Sequence, residues 1–526
     1  MFGFLKRSAA PVQVVEPPMT RSAAAAPKTR RGAGAHVQRM MFAGAETDRL
    51  TADWPSFPLP ADDIIRRNQR ILVARSREQA ANNDYGKAFI RMAKQNIVGP
   101  MGIRLQAQAR DQNGALDADA NDAIEAAFSE WCLRQNCDVT GKSSFRSLQS
   151  ASVGSAGVNG EFMFRKIFGA DAGPLGFALQ MLDPQRCPVD YDVERTNDGT
   201  FTRHGIEFNR FGRPLNYLFT TTDERDANYN YNGRAFVRVP AAEIIHGFLP
   251  EMVGQKRGLP WMATGLWRMR MLHGYENSAL VNARASASKG GFFAWEEGFG
   301  PESAEGEERE DITMELEPGT WQELPAGVKP VAAHPPYPQG EFAMFRKEHL
   351  RAMASGFGVA YNNLANDLEG VNFSSIRQGA IDEREHWKEL QEWLIETLIA
   401  PAFLEWLPRA LLMGLIVTKR GGTLRPERLD KYREVQWQAR RWAWIDPKSD
   451  VQSAIDMKNN LMGSFGQFIR DQGKDPQTVW REIAEDINQM RLANIPEEYI
   501  LQAMGQKLNP VPAAGADARG NTAPPD

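Results

Sequence analysis

The sequence predicts an α+β fold, and three observations carry that expectation. Apolar residues between 64 and 97 recur at helical spacing, short strand-like runs separated by turn residues fill 145–249, and the texture is helical again from 342 to about 505. The chain has 526 residues, enough for two to four domains with real cores. Its hydrophobic content of 42% and charged content of 24% are ordinary for a folded protein.

Taken in order, residues 1–60 read as a flexible basic arm. Seven basic residues stand against Glu16 in the first forty positions, and both a solvated tail and an arm touching nucleic acid or a neighbouring chain fit that composition. Residues 61–260 form an α+β block. Ile64, Ile65, Ile71 and Leu72, then Phe89, Ile90, Ala93 and Ile97, fall near helical spacing, with a break at 82–84 and a stop at Gly99-Pro100. Further helices are expected near 118–135 and 145–157. GEFMFRKIF and LGFALQMLDP follow as strands, and HGIEFNRFGRPLNYLFTT as a hairpin turning at 209–214.

A long helix is expected over 261–288, which if continuous spans roughly 42 Å. Residues 289–337 form an acidic excursion with β-like flanks; ten acids stand against Arg309 between 296 and 317. A second helix is expected over 338–357, a polar loop over 358–375, and a long helix behind it over 376–420. A mostly helical region at 421–505 and a disordered tail at 506–526 complete the chain.

Composition and motifs exclude several functions. The net charge of −4 argues against a simple DNA-coating protein. Cys132, Cys137 and Cys187 make no disulfide framework and no zinc spacing. TGKSS at 140–144 lacks the earlier glycine and the preceding strand of a phosphate loop, so it reads as the cap of the helix at 145. Glu243…His246 lies in a strand-like segment, and Glu383…His386 on a face crowded with Asp382, Arg384 and Glu385, so neither makes a metal pair. No nucleophile elbow or dinucleotide fingerprint appears. No signal peptide is visible, and 398–417 is too interrupted by proline and charge to span a membrane. No cofactor is expected.

The succession ARSREQAANNDYGKAFIRMAKQNIVGPMGIRLQ, GEFMFRKI, LQMLDPQRC, HGIEFNRFGRPLNYLF, the run 243–293, LEPGTWQELPAG, GVAYNNLANDLEGVNFSSIRQG and WAWIDPKSD resembles the lambda-type phage portal protein family, in the family's own order over about 60–505. The resemblance implies a non-enzymatic ring, usually a dodecamer, at one capsid vertex of a virion, assembled in the host cytoplasm. Double-stranded DNA passes through such a ring during packaging and ejection. The terminase large subunit docks on it first, and head-completion or tail connector proteins dock afterwards, with capsid proteins around it. It further implies a wing at 61–260, a stem from the helices at 261–288 and 338–357, a clip at 289–337, a tunnel loop at 358–375 and a crown at 421–505.

On that plan Asn372, Ser374 and Ser375 touch passing phosphates without gripping them, and Arg377 adds a charge contact or pairs with Asp367 or Glu369; the alternative is an ordinary interhelix loop packed on its neighbour. The clip acids Glu302, Glu305, Glu307, Glu308, Glu310 and Asp311 either keep DNA from sticking and dock a basic partner, or form a plain solvated loop. Arg268, Arg270 and Arg284 lie on a helix expected to bury Leu266, Met269, Leu272 and Leu280, and face either DNA or a neighbour's acids. A head-to-tail interface that closes gives such a ring, and the 13 tryptophans suit its interfaces or ordinary cores. The competing class is a DNA-processing nuclease of a packaging complex.

Overall fold

Asn83 decides where the first helix ends. Its backbone leaves the helical region (φ −109°, ψ 130°), and its side chain accepts the amides of Tyr85 and Gly86, so α1 (Ala61–Asn82) stops and α2 (Asp84–Ile97) starts one residue later. The computed structural model describes residues 49, 55–223, 236–287, 291–295, 328–332, 342–369, 373–442 and 447–503; residues 59–526 form one compact unit.

After α2 come β1 (Arg104–Ala107), α3 (Ala118–Trp131) and the single turn α4 (Arg134–Cys137). The TGKSS segment is capping chemistry: Asp138 accepts the amides of Thr140, Lys142 and Ser143, and Ser144 caps α5 (Phe145–Asn159) through the Ser147 amide. Gly160 ends α5 with φ 87°, and a Cβ there would sit 2.4 Å from the Leu259 backbone, so only glycine fits.

Two sheets follow. β2 (Glu161–Phe168) lies between β3 (Phe177–Leu182) and β8 (Ile244–Phe248), all antiparallel. The other runs β4 (Phe201–Arg203), β5 (Ile206–Phe208), β6 (Pro214–Phe219), β7 (Val237–Pro240) as a meander. Asn209 accepts the Phe211 and Arg213 amides and makes the expected β5–β6 turn. A tighter turn at His204-Gly205, both with positive φ, joins β4 to β5.

The long helix α6 (Leu266–Ala287) begins five residues later than the sequence suggested; residues 261–265 are turns, and Gly265 lies directly against the Phe357 ring. β9 (Gly291–Trp295) pairs antiparallel with β10 (Val328–Ala332), and α7 (Phe342–Phe357) returns. α8 (Tyr361–Ala365) interrupts what was expected to be loop. α9 (Phe373–Leu394) passes through a π turn at Ile395–Ile399 into α10 (Ala400–Leu412), which ends short of 420. Then come α11 (Leu429–Tyr432), β11 (Val435–Gln438), α12 (Pro447–Asn459), α13 (Phe465–Asp471), α14 (Pro476–Leu492) and α15 (Glu497–Ala503).

β11 was not expected in a helical region. It pairs antiparallel with β1, Leu105 opposite Trp437. Phe128 of α3 touches Trp131, Phe145, Phe403, Trp406 and Trp437, so one aromatic cluster joins α3, α5, α10 and β11. Trp387, Trp393 and Trp406 are likewise core residues.

Beneath the sheets lies a buried ion pair. Glu161 and Arg257 are both 0% exposed. Arg257 donates from Nε and Nη2 to the Glu161 carboxylate (2.6–2.9 Å), and its other N–H groups reach the carbonyls of Pro184, Cys187 and His204. Gln69, His246 and the Gly258 amide complete the shell of Glu161. Burial alone would raise the Glu161 carboxyl, but Arg257 and His246 override it and hold it well below the usual carboxylate range.

Candidate functional site: the paired helices and the loop behind them

α6 has two apolar faces. Leu266, Met269, Leu272 and Ala279 are buried, and Tyr275 packs on Phe342 and Phe345 of α7 with ring centroids 5.5 and 5.3 Å apart. Tyr85 of α2 donates to Glu276 (3.1 Å), and burial with the neighbouring carboxylate pushes its hydroxyl up to about 12. The opposite face is bare. Trp267 is 70% exposed, Met271 55% and Val281 68%, and their spacing puts them on one stripe. Leu280, expected inside, is 67% exposed, because α7 covers the face of α6 on which Tyr275 lies and not this position. Arg268, Arg270 and Arg284 are exposed and form no ion pair among the described residues. β9 and β10 are the strand-like flanks of the acidic excursion; Glu302, Glu305, Glu307, Glu308, Glu310 and Asp311 lie outside the described residues.

The segment 358–375 is less of a loop than its composition suggested. Gly358 (φ 68°) turns the chain out of α7, with the position of a Cβ only 3.1 Å from the His386 ring. α8 follows, closed by Asn366 at φ 52°. Tyr361 donates to Asp367 at 2.6 Å, Lys347 lies 3.4 Å from the same carboxylate, and the Glu369 amide donates to its other oxygen. The Tyr361 hydrogen bond lowers the Asp367 pKa. Asn372 lies outside the described residues, and Ser374 and Ser375 fall in the first turn of α9, which begins at Phe373 instead of 376.

Arg377 pairs neither with Asp367 nor with Glu369. It bonds Asp450 of α12 at 3.0 Å, tying the start of α9 to a helix 73 residues away. Glu383 also departs from expectation. It is buried, accepts from Asn363 of α8 and from Trp387 Nε1 (3.2 Å), and its pKa is raised by burial. Its role is to fasten α8 to α9. The other Glu-x-x-His pair diverges as well, with His246 bonded to Glu161 (2.9 Å) and Glu243 near Arg165 (3.7 Å). Among the described residues, no three of His, Cys, Asp and Glu converge as metal ligands, and no helix is long and apolar enough to cross a membrane.

Sequence reasoning missed the bare stripe of α6, although its signal was present: apolar residues at 267, 271 and 281 lie between those of the buried face, which makes the helix apolar on two sides.

Compared with known proteins, the sequence matches the family described as phage portal protein, lambda family, over residues 47–391. It is 32% identical over 472 residues to a probable portal protein of Halomonas phage phiHAP-1, covering 88% of this chain and 90% of that one. It is 21% identical over 458 residues to portal protein B of Escherichia phage lambda, covering 80% and 84%. Among solved structures, a chain from the neck of a native gene transfer agent particle is similar with a TM-score of 0.40 at 12% identity, covering 77% of this chain and 94% of that one.

Proposed function

The chain belongs to the lambda family of phage portal proteins, and on that premise we propose that copies of it close into a ring, a dodecamer, at one capsid vertex, through which double-stranded DNA is packaged and ejected. The observation that carries the ring is the bare stripe of α6. Trp267, Met271 and Val281 are exposed apolar residues on one stripe, with Gly274 and Ser278 between them, and nothing in the described chain covers them. In a closed head-to-tail ring each stripe is covered by the next subunit, and the exposed Arg268 and Arg270 beside it meet that subunit's acids or the DNA.

The loop behind the stem supplies the channel contact. Asn372, Ser374 and Ser375 are polar without a fixed positive charge, which suits transient phosphate contact in a conduit that must let DNA slide. Arg377 is engaged by Asp450 and serves as the anchor that holds the first turn of α9. The acids at 302, 305, 307, 308, 310 and 311 offer a basic partner a docking surface, first the terminase and later a head–tail connector protein. Energy for translocation comes from that separate motor, and the ring itself performs no reaction.

Sedimentation velocity tests the ring. The wild-type protein is expected to sediment as one large closed species, and Trp267→Asp as monomers or short open oligomers with an unchanged circular dichroism spectrum. Assembly of Trp267→Asp indistinguishable from wild type would remove the stripe from the interface.

A further inference from the structure

α2 carries Lys87, Arg91 and Lys94 at the spacing that lines one helix face. They form one wall of a cavity of about 880 Å³, which Arg146 of α5 and Arg440, just after β11, enclose from the other side. No aspartate or glutamate is among the described residues lining it. Lys87 and Arg91 are exposed, and neither they nor Lys94 has an ion-pair partner among the described residues. Five positive groups around one concavity, in a chain whose net charge is −4, repel one another unless an anion fills it.

The charge also continues out of the cavity. Arg440 and Arg384 of α9 both approach the Trp442 ring, with centroid distances of 5.8 and 5.9 Å. Burial and the neighbouring Arg384 lower the Arg440 pKa, so these guanidiniums are close enough to disfavour each other. Arg440 thus links the cavity to an aromatic plane that also carries Arg384, itself beside Asp450, an arrangement that suits an extended polyanion better than a single small ion.

We propose that this cavity is a phosphate-binding site for the backbone of nucleic acid, separate from the channel loop. The proposal rests on the conduit reading above, since that reading supplies the polyanion.

The test uses the assembled full-length protein, a fluorescent DNA duplex and a salt series followed by anisotropy. Lys87→Gln/Arg91→Gln is compared with Arg67→Gln/Arg75→Gln, which removes the same charge from exposed positions on α1. The cavity variant is expected to bind duplex roughly ten-fold or more weakly at 0.1 M salt, with a salt slope smaller by about 2, while the α1 control stays near wild type. Inorganic phosphate at millimolar concentration is expected to compete poorly; full competition would assign the site to a free phosphate ion and overturn the proposal. Equal loss in both variants would reduce the effect to net charge. Rings that fall apart in the cavity variant would make the cavity a subunit contact. Rings that form with unchanged duplex binding would sink this proposal and leave the conduit reading intact, whereas absence of rings in the wild type would sink that reading itself.

Discussion

At the scale of single residues, the molecule invests most in a pair whose partners are distant in sequence. All the guanidinium N–H groups of Arg257 are taken up by Glu161 and three carbonyls, and neither partner meets water. Arg257→Met leaves a buried carboxylate unpaired and is expected to cost about 3–5 kcal/mol, read as a lower urea midpoint; a shift worth less than about 1 kcal/mol would show that Glu161 finds another partner. The pH dependence has a definite sign. Asp62, held at about 2 because His204 and Lys256 outweigh its burial, and Glu161 both have depressed folded pKa values. Their stabilisation is present above the ordinary carboxylate range and is lost as pH falls towards 2. None of these partnerships was legible in the sequence. Glu161 and Arg257 lie 96 residues apart, as Arg377 and Asp450 lie 73 apart, and no local pattern ties a carboxylate to a guanidinium across such distances. Local chemistry was legible: Ser144 as a helix cap and Asn209 as a turn residue act through amides within a few positions.

At the scale of elements, periodicity identified the helices because burial enforces it, and errors fell where a long-range contact decides. Residues 261–265 are turns where a later helix start puts Gly265 against Phe357, and β11 pairs with the edge that β1 offers; a four-residue run such as VQWQ carries no such information alone. The docking of α14 against α3 and β1 is an element contact that responds to pH. Glu125 of α3 and Asp475 at the start of α14 line the same cavity, Gln106 of β1 bonds Asp475, and Arg481 bonds Asp122 at 3.0 Å. Burial, then the nearby Asp475 and Asp122, raise the Glu125 carboxyl to about 7 despite its bond from the Ala107 amide. A raised carboxyl contributes stability that is complete below its unfolded value near 4.5 and fades as pH rises through 7. Glu125→Gln is therefore expected to stabilise the protein at pH 8, by about 1–2 kcal/mol after allowing for solvent screening, and to flatten the decline in melting temperature between about pH 4.5 and 7. Parallel profiles for variant and wild type would place the titration elsewhere.

At the scale of the whole molecule, the chain combines a well-packed body with one long helix left apolar on its outer side, and its family membership gives that bareness a meaning. A free subunit exposes Trp267, Met271 and Val281 together, and the proposed ring would cover them. The family was legible in the ordered series of short motifs, each weak alone. The surroundings of the loop residues were not, because distant parts of the same chain make them, as Asp450 does for Arg377. The most direct measurement is electron microscopy of the purified full-length protein, with particles classified by end-on view. Closed rings with a central hole wide enough for duplex DNA, of one subunit number, are the expected result. A uniform monomer or dimer that persists at high concentration and across salt would contradict the conduit account.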